Sequence, residues 1–208
     1  MSRLGDLWGR IFARGESTLT GRALLSAGAG VIDYVARVLV TFLLNPILVV
    51  GLGPYGFGLW QVMRQMSGYA TPATGRPAQA LRFTVANLQA STDYPEKRRQ
   101  VGAALAVSVG FLPLLACVAA LLAWFSPIWL EAPPELVTTT RWVAILLVAH
   151  LTLTNFAEIP QQALAGENQA YRRLVVATSL TILGGILMAV AVEVGFGLIG
   201  VAASQVVI

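Results

Sequence analysis

The chain has 208 residues, of which 56% are hydrophobic and only 12% charged, and its mean hydropathy is +0.71. A soluble domain ordinarily carries about a quarter of its residues as charges, so half that supply, beside long apolar runs, points to lipid as the solvent. The net charge of +4 and the pI near 9.7 do not indicate nucleic acid, because the basic residues fall in short clusters between apolar runs rather than along one face.

Taken in chain order, residues 1–16 place Leu4, Leu7, Trp8, Ile11 and Phe12 at helical spacing with Arg3, Arg10 and Arg14 between them. That pattern predicts an amphipathic helix on the membrane surface, within a cytoplasmic amino-terminal unit of residues 1–20. The apolar stretch 23–52 is too long for a cleaved signal segment, so it reads as an uncleaved first span. Asn45 and Pro46 interrupt that span, as a hinge or, preferred here, as a static kink near its outer end. The small residues Ala27, Gly28, Ala29 and Gly30 suggest close helix packing, as do Gly184 and Gly185 further on.

After the turn GLGPYGFG at 51–58, a weaker second span covers about 57–72 and contains Gln61, Arg64, Gln65 and Ser67. A basic connector, 75–99, includes a short helix over Pro77–Asn87. The third span is 101–129, with the single cysteine, Cys117, as a small packing or lipid-facing side chain. The fourth is 142–159, ending at Pro160. A polar loop, 161–173, then leads to the fifth, 174–192.

The last apolar run, 197–208, covers about half a hydrocarbon core of roughly 30 Å. The expected fold is thus an all-α polytopic bundle over 21–208, with about five complete spans and a truncated sixth, the remainder of the protein lying beyond residue 208.

Lysine and arginine alternate in the sense of the positive-inside rule, with a cytoplasmic amino terminus. Arg22, Arg76, Arg82, Lys97, Arg98, Arg99, Arg172 and Arg173 fall on one side, and Glu131 and Glu135 on the other, where Arg141 is the exception. The cluster 97–99 reads as a topology determinant with secondary contact to anionic lipid. Trp124, Trp129 and Trp142 flank the outer ends of the third and fourth spans, at the level of an aromatic belt.

Residues 43–87 contain Leu52, Gly53, Pro54, Tyr55, Gly56, Gly58 and Trp60, then Gly68 and Tyr69, and finally Arg82. This segment resembles the second-span signature of polysaccharide-transport (Wzx-like) flippases of the multidrug/oligosaccharidyl-lipid/polysaccharide superfamily. Ile159 and Pro160 with the ALAG at 163–166 resemble the end of that family's fourth span, and GFGLIG at 195–200 its turn into the sixth. One departure is the ATPATG at 70–75, which lacks the acid of the family's usual "LLDLGLG".

The resemblance implies a multi-pass carrier of the bacterial cytoplasmic membrane, moving a polyprenyl-pyrophosphate-linked oligosaccharide for polysaccharide biosynthesis. It also implies two six-span lobes around a cavity, of which this chain would supply the first, so that the chain alone is not expected to transport. No enzyme activity and no cofactor are expected. Coupling would use a proton or a sodium ion.

Within that reading Arg37 and Arg64, on adjacent spans, are the candidates for the pyrophosphate, since a guanidinium fork pairs with phosphate oxygens and stays charged. The bland alternative for Arg37 is neutralisation by Asp33, one turn earlier, or snorkelling to the interface. Asp33 and Glu158 are the candidates for a coupling ion, Glu158 having the alternative of an interfacial acid. His150 is either a proton relay or a histidine hydrogen-bonded between helices. The neighbouring functions left open are a multidrug or peptidoglycan-precursor carrier of the same superfamily, and a non-transporting membrane scaffold. A membrane glycosyltransferase or polymerase is disfavoured by the short loops.

Overall fold

The computed structural model describes residues 19–88, 91, 93–167 and 169–206; the surface helix expected over 1–16 lies outside them. Among the described residues every regular element is helical, as lipid demands of backbone that must satisfy its own hydrogen bonds. The helices are α1 (Leu19–Tyr69), α2 (Pro77–Asn87), α3 (Tyr94–Gly110), α4 (Leu112–Trp129), α5 (Val137–Gly166), α6 (Ala170–Glu193) and α7 (Gly197–Val206). Single 3-10 turns stand at Thr71–Thr74 and Pro134–Leu136.

Four helical stretches are long and apolar enough to cross a membrane: Leu24–Tyr69, Tyr94–Trp129, Pro134–Gly166 and Ala170–Glu193. The expectation was about five spans and part of a sixth. The difference arises in α1, whose 51 residues absorb the first two expected spans. Its one non-helical residue is Gly53, at φ 72° and ψ 166°, a backbone that a side chain at Cβ makes costly. Pro54 follows at once, with φ already set for a new helical start.

Helix directions show that the chain reverses at Gly53. The leg before Gly53 runs alongside α6 in the same direction, because Asp33 bonds Thr178, Val40 abuts Gly185 and Gly51 abuts Val192. The leg after it follows α5 instead, with Tyr55 beside Thr139 and Arg64 beside His150. Since α5 and α6 are antiparallel neighbours joined by a short turn, the two legs of α1 are antiparallel as well.

Pro46 stays within the helix, and the one non-helical residue, Gly53, falls in the turn expected over 51–58. By contrast, α5 runs through Pro160 to Gly166 and α6 begins at Ala170, so most of the polar loop expected over 161–173 is helical. A proline removes one hydrogen bond without ending a helix when the neighbouring turns can adjust, as they commonly do in membrane helices. The third span begins earlier than expected, at Tyr94, and is divided at Phe111 just ahead of Pro113.

Trp60, 1% exposed, centres the main core, packed among Leu48, Met63, Leu147, Met188 and Val201. A second cluster of Ala78, Leu81, Val85, Ala104 and Ile159 ties α2 to α3 and α5. Outward side chains such as Phe42, Val50, Ile186 and Val190 are exposed and apolar, a surface suited to hydrocarbon. Trp124, Trp129 and Trp142 are exposed towards one end, where Arg141 sits 5.5 Å over the Trp124 ring. The other end carries Lys97, Arg98, Arg99, Arg172 and Arg173 at the starts of α3 and α6. Close packing is divided between the two small-residue clusters. Gly185 meets Val40, whereas Gly28 and Gly30 have nothing within 4 Å of where a Cβ would stand.

Candidate functional site

A groove of about 510 Å³ lies between both legs of α1, α5, α6 and α7. Its α5 wall is His150, Thr154, Glu158 and Gln161, spaced by three or four residues and so on one helix face. The α6 wall follows the same logic with Arg173, Ala177, Thr181, Gly184 and Met188. Arg37 comes from the first leg of α1, Arg64 from the second, and Gln205 from α7. The polar groups therefore form a stripe, from Arg64 about three turns below Gly53 to Arg173 at the basic end.

Of the candidates from the sequence, Arg37, Arg64, Glu158 and His150 meet in this groove. Asp33 stands behind Arg37 rather than on the lining. Its carboxylate accepts from Arg37 Nε at 2.8 Å and from the Thr178 hydroxyl at 2.9 Å. The carboxylate end of this pair is shielded, while the Arg37 side chain remains 56% exposed. Asp33 thus joins α1 to α6 and presents Arg37 to the groove, and a half-exposed pair of this kind adds little stability of its own.

Arg64 is exposed and, among the described residues, its side chain has neither hydrogen-bond nor ion-pair partner, while its carbonyl accepts from the Ser67 hydroxyl at 2.8 Å. Glu158 is half-buried, and among the described residues its carboxylate has no ion-pair partner. His150 Nε2 lies 3.5 Å from the Thr154 hydroxyl. Arg173 donates through Nε to Gln161 Oε1 at 3.2 Å.

Arg173, Gln161 and Gln205 belong to the groove without having been singled out from the sequence. Arg173 follows Arg172 at the mouth of an apolar run, where a topology signal accounts for it. Its phase with Ala177, Thr181 and Gly184 was the available clue. Three guanidinium groups beside one lining carboxylate leave the groove with an excess of positive charge. It is also within the roughly 300–1,000 Å³ usual for small-molecule sites. Chemically, it can receive an anion with several oxygens, held by groups from different helices.

No family model, curated protein or solved structure matches the chain.

Proposed function

We propose that the chain is a membrane carrier for a polyprenyl-pyrophosphate-linked oligosaccharide, and that this groove receives the pyrophosphate. The convergence of Arg37, Arg64 and Arg173 within a lipid-facing bundle carries the reading. Arginines at membrane depth are costly, and their usual compensation is a polar ligand or a wet pathway. The carrier's glycan lies outside the groove, and its polyprenyl chain lies against the exposed apolar faces of α1 and α6.

In this proposal the two legs of α1 count as separate spans, making five, and α7 begins a sixth. The basic end faces the cytoplasm of a bacterial cell, by the positive-inside rule. A second lobe closes the open side of the groove, and Glu158, beside the arginines, binds the coupling proton or sodium ion when the substrate is absent.

The test is binding of an undecaprenyl pyrophosphate to the purified chain in vesicles, with glycan display in cells that depend on the complete two-lobe carrier as the second readout. Arg37→Gln and Arg64→Gln are each expected to weaken binding about tenfold, the worth of one charge-assisted hydrogen bond, and to reduce display at unchanged membrane abundance. Wild-type binding and display in both single variants would sink the proposal.

A further inference from the structure

A larger cleft, about 910 Å³, lies at the basic end between α2, α3 and α5, away from the groove. We infer that it is a site for an anionic phospholipid of the leaflet at the basic end. The inference rests on the membrane placement of the chain alone and not on transport.

The walls are apolar: Val85 from α2, Val101 from α3, and Pro160, Ala163 and Leu164 from α5. Charge is confined to one rim, where Lys97, Arg98 and Glu167 stand. The polarity therefore changes along the cleft. Helix α3 opens with the sequence YPEKRRQ and turns apolar at Val101, while α5 goes from Pro160 at the apolar end to Glu167 at the charged one. A membrane interface has the same gradient, so the rim is level with headgroups and the walls with the start of the acyl chains.

The rim is not neutralised. Lys97 Nζ is 2.6 Å from Glu167 Oε1, so these two charges largely cancel. Arg98 is exposed, and its side chain has no hydrogen-bond or ion-pair partner among the described residues. Arg99, next to it, is held by Glu96 at 2.9 Å and does not line the cleft. Tyr94, 71% exposed at the rim with Lys97 Nζ 5.9 Å from its ring centre, is the kind of side chain that settles at a headgroup boundary. One unpaired guanidinium above an apolar slot fits a molecule with one negative headgroup and a hydrocarbon tail. Basic pockets between helices on the cytoplasmic side are a general means of holding such lipids. A water-soluble phosphate would engage the rim and leave the apolar walls without a partner.

The experiment uses the full chain in vesicles mixing phosphatidylcholine and phosphatidylglycerol, extracted in mild detergent, with the co-purified lipids quantified. Phosphatidylglycerol is expected to be retained over phosphatidylcholine. Arg98→Gln is expected to lower that retention about fivefold, the effect of one basic residue at an anionic surface. Leu164→Trp, which narrows the slot and leaves every charge in place, is expected to lower it too. Arg99→Gln is expected to leave it unchanged, and soluble glycerol phosphate is expected not to displace the lipid. Equal retention of the two lipids would overturn the inference, as would equal losses in Arg98→Gln and Arg99→Gln. Displacement by glycerol phosphate alone would replace the lipid with a soluble anion.

Discussion

The groove and the cleft both border α5 and both contain arginine, yet they differ in where the charge lies. The groove uses the face of α5 bearing His150, Thr154, Glu158 and Gln161, and it is polar along its length. The cleft uses the face bearing Pro160, Ala163, Leu164 and Glu167, roughly a third of a turn away, and it is polar at one rim only. A ligand in the groove can carry its charge into the bundle, whereas a ligand in the cleft must leave its charge at the surface. The same side chain thus serves different chemistry according to depth, because an ionised group inside the span has no water to fall back on.

The sharpest break of this comparison is to remove charge from one site and read both. Arg37→Gln combined with Arg64→Gln is expected to weaken pyrophosphate-lipid binding about a hundredfold, two charge-assisted hydrogen bonds being lost, with phosphatidylglycerol retention unaltered. Arg98→Gln is expected to do the converse at about fivefold. Parallel losses at both sites in either variant would show that the two are one diffuse basic surface.

Two glycines make the comparison mechanical rather than electrostatic. A methyl group at Gly166 would stand 2.8 Å from Val85 Cβ and 2.9 Å from the Arg82 carbonyl oxygen, and that backbone cannot step aside. Gly166→Ala is therefore expected to wedge α2 from α5, cost about 2 kcal/mol of stability, and reduce lipid retention in the cleft. At Gly185 the obstacle is one methyl carbon of Val40, 2.6 Å away, which can rotate. Gly185→Ala is expected to cost about 1 kcal/mol and to affect the groove alone. Unfolding midpoints together with the two binding assays separate these outcomes. Gly28→Ala, with nothing near it, serves as the neutral control.

Much of the groove was legible because charges inside apolar runs stand out. Arg37, Arg64 and Glu158 could be named before any packing was known, and the spacing of Asp33 and Arg37 announced their ion pair. The turn at 51–58 was legible in its glycines, and α2 in the proline that opens it. Arg173 was hidden by its position beside Arg172, and Gln205 by the brevity of α7. Pro160 misled because a missing hydrogen bond is a local defect, and whether a helix survives it depends on neighbours that sequence does not display. The cleft was illegible for a related reason. Val85, Val101 and Ala163 lie on three separate segments, and only the pairing of α2 and α3 with α5 makes them one wall.

Asp33→Asn gives the smallest effect and the finest distinction within the groove. Asparagine keeps the size of the side chain and still accepts from Thr178, so α1 and α6 stay joined. What disappears is the negative charge behind Arg37, whose side chain is more than half exposed. The stability cost should accordingly be about 1 kcal/mol or less. Arg37 would then offer its whole charge to an incoming anion, and pyrophosphate-lipid binding is expected to rise a few-fold, with cleft retention unchanged. A fall in binding instead would assign Asp33 the opposite weight. Its hold on the orientation of Arg37 would then matter more than the charge it cancels, since a correctly aimed guanidinium binds oxygen better than a free one.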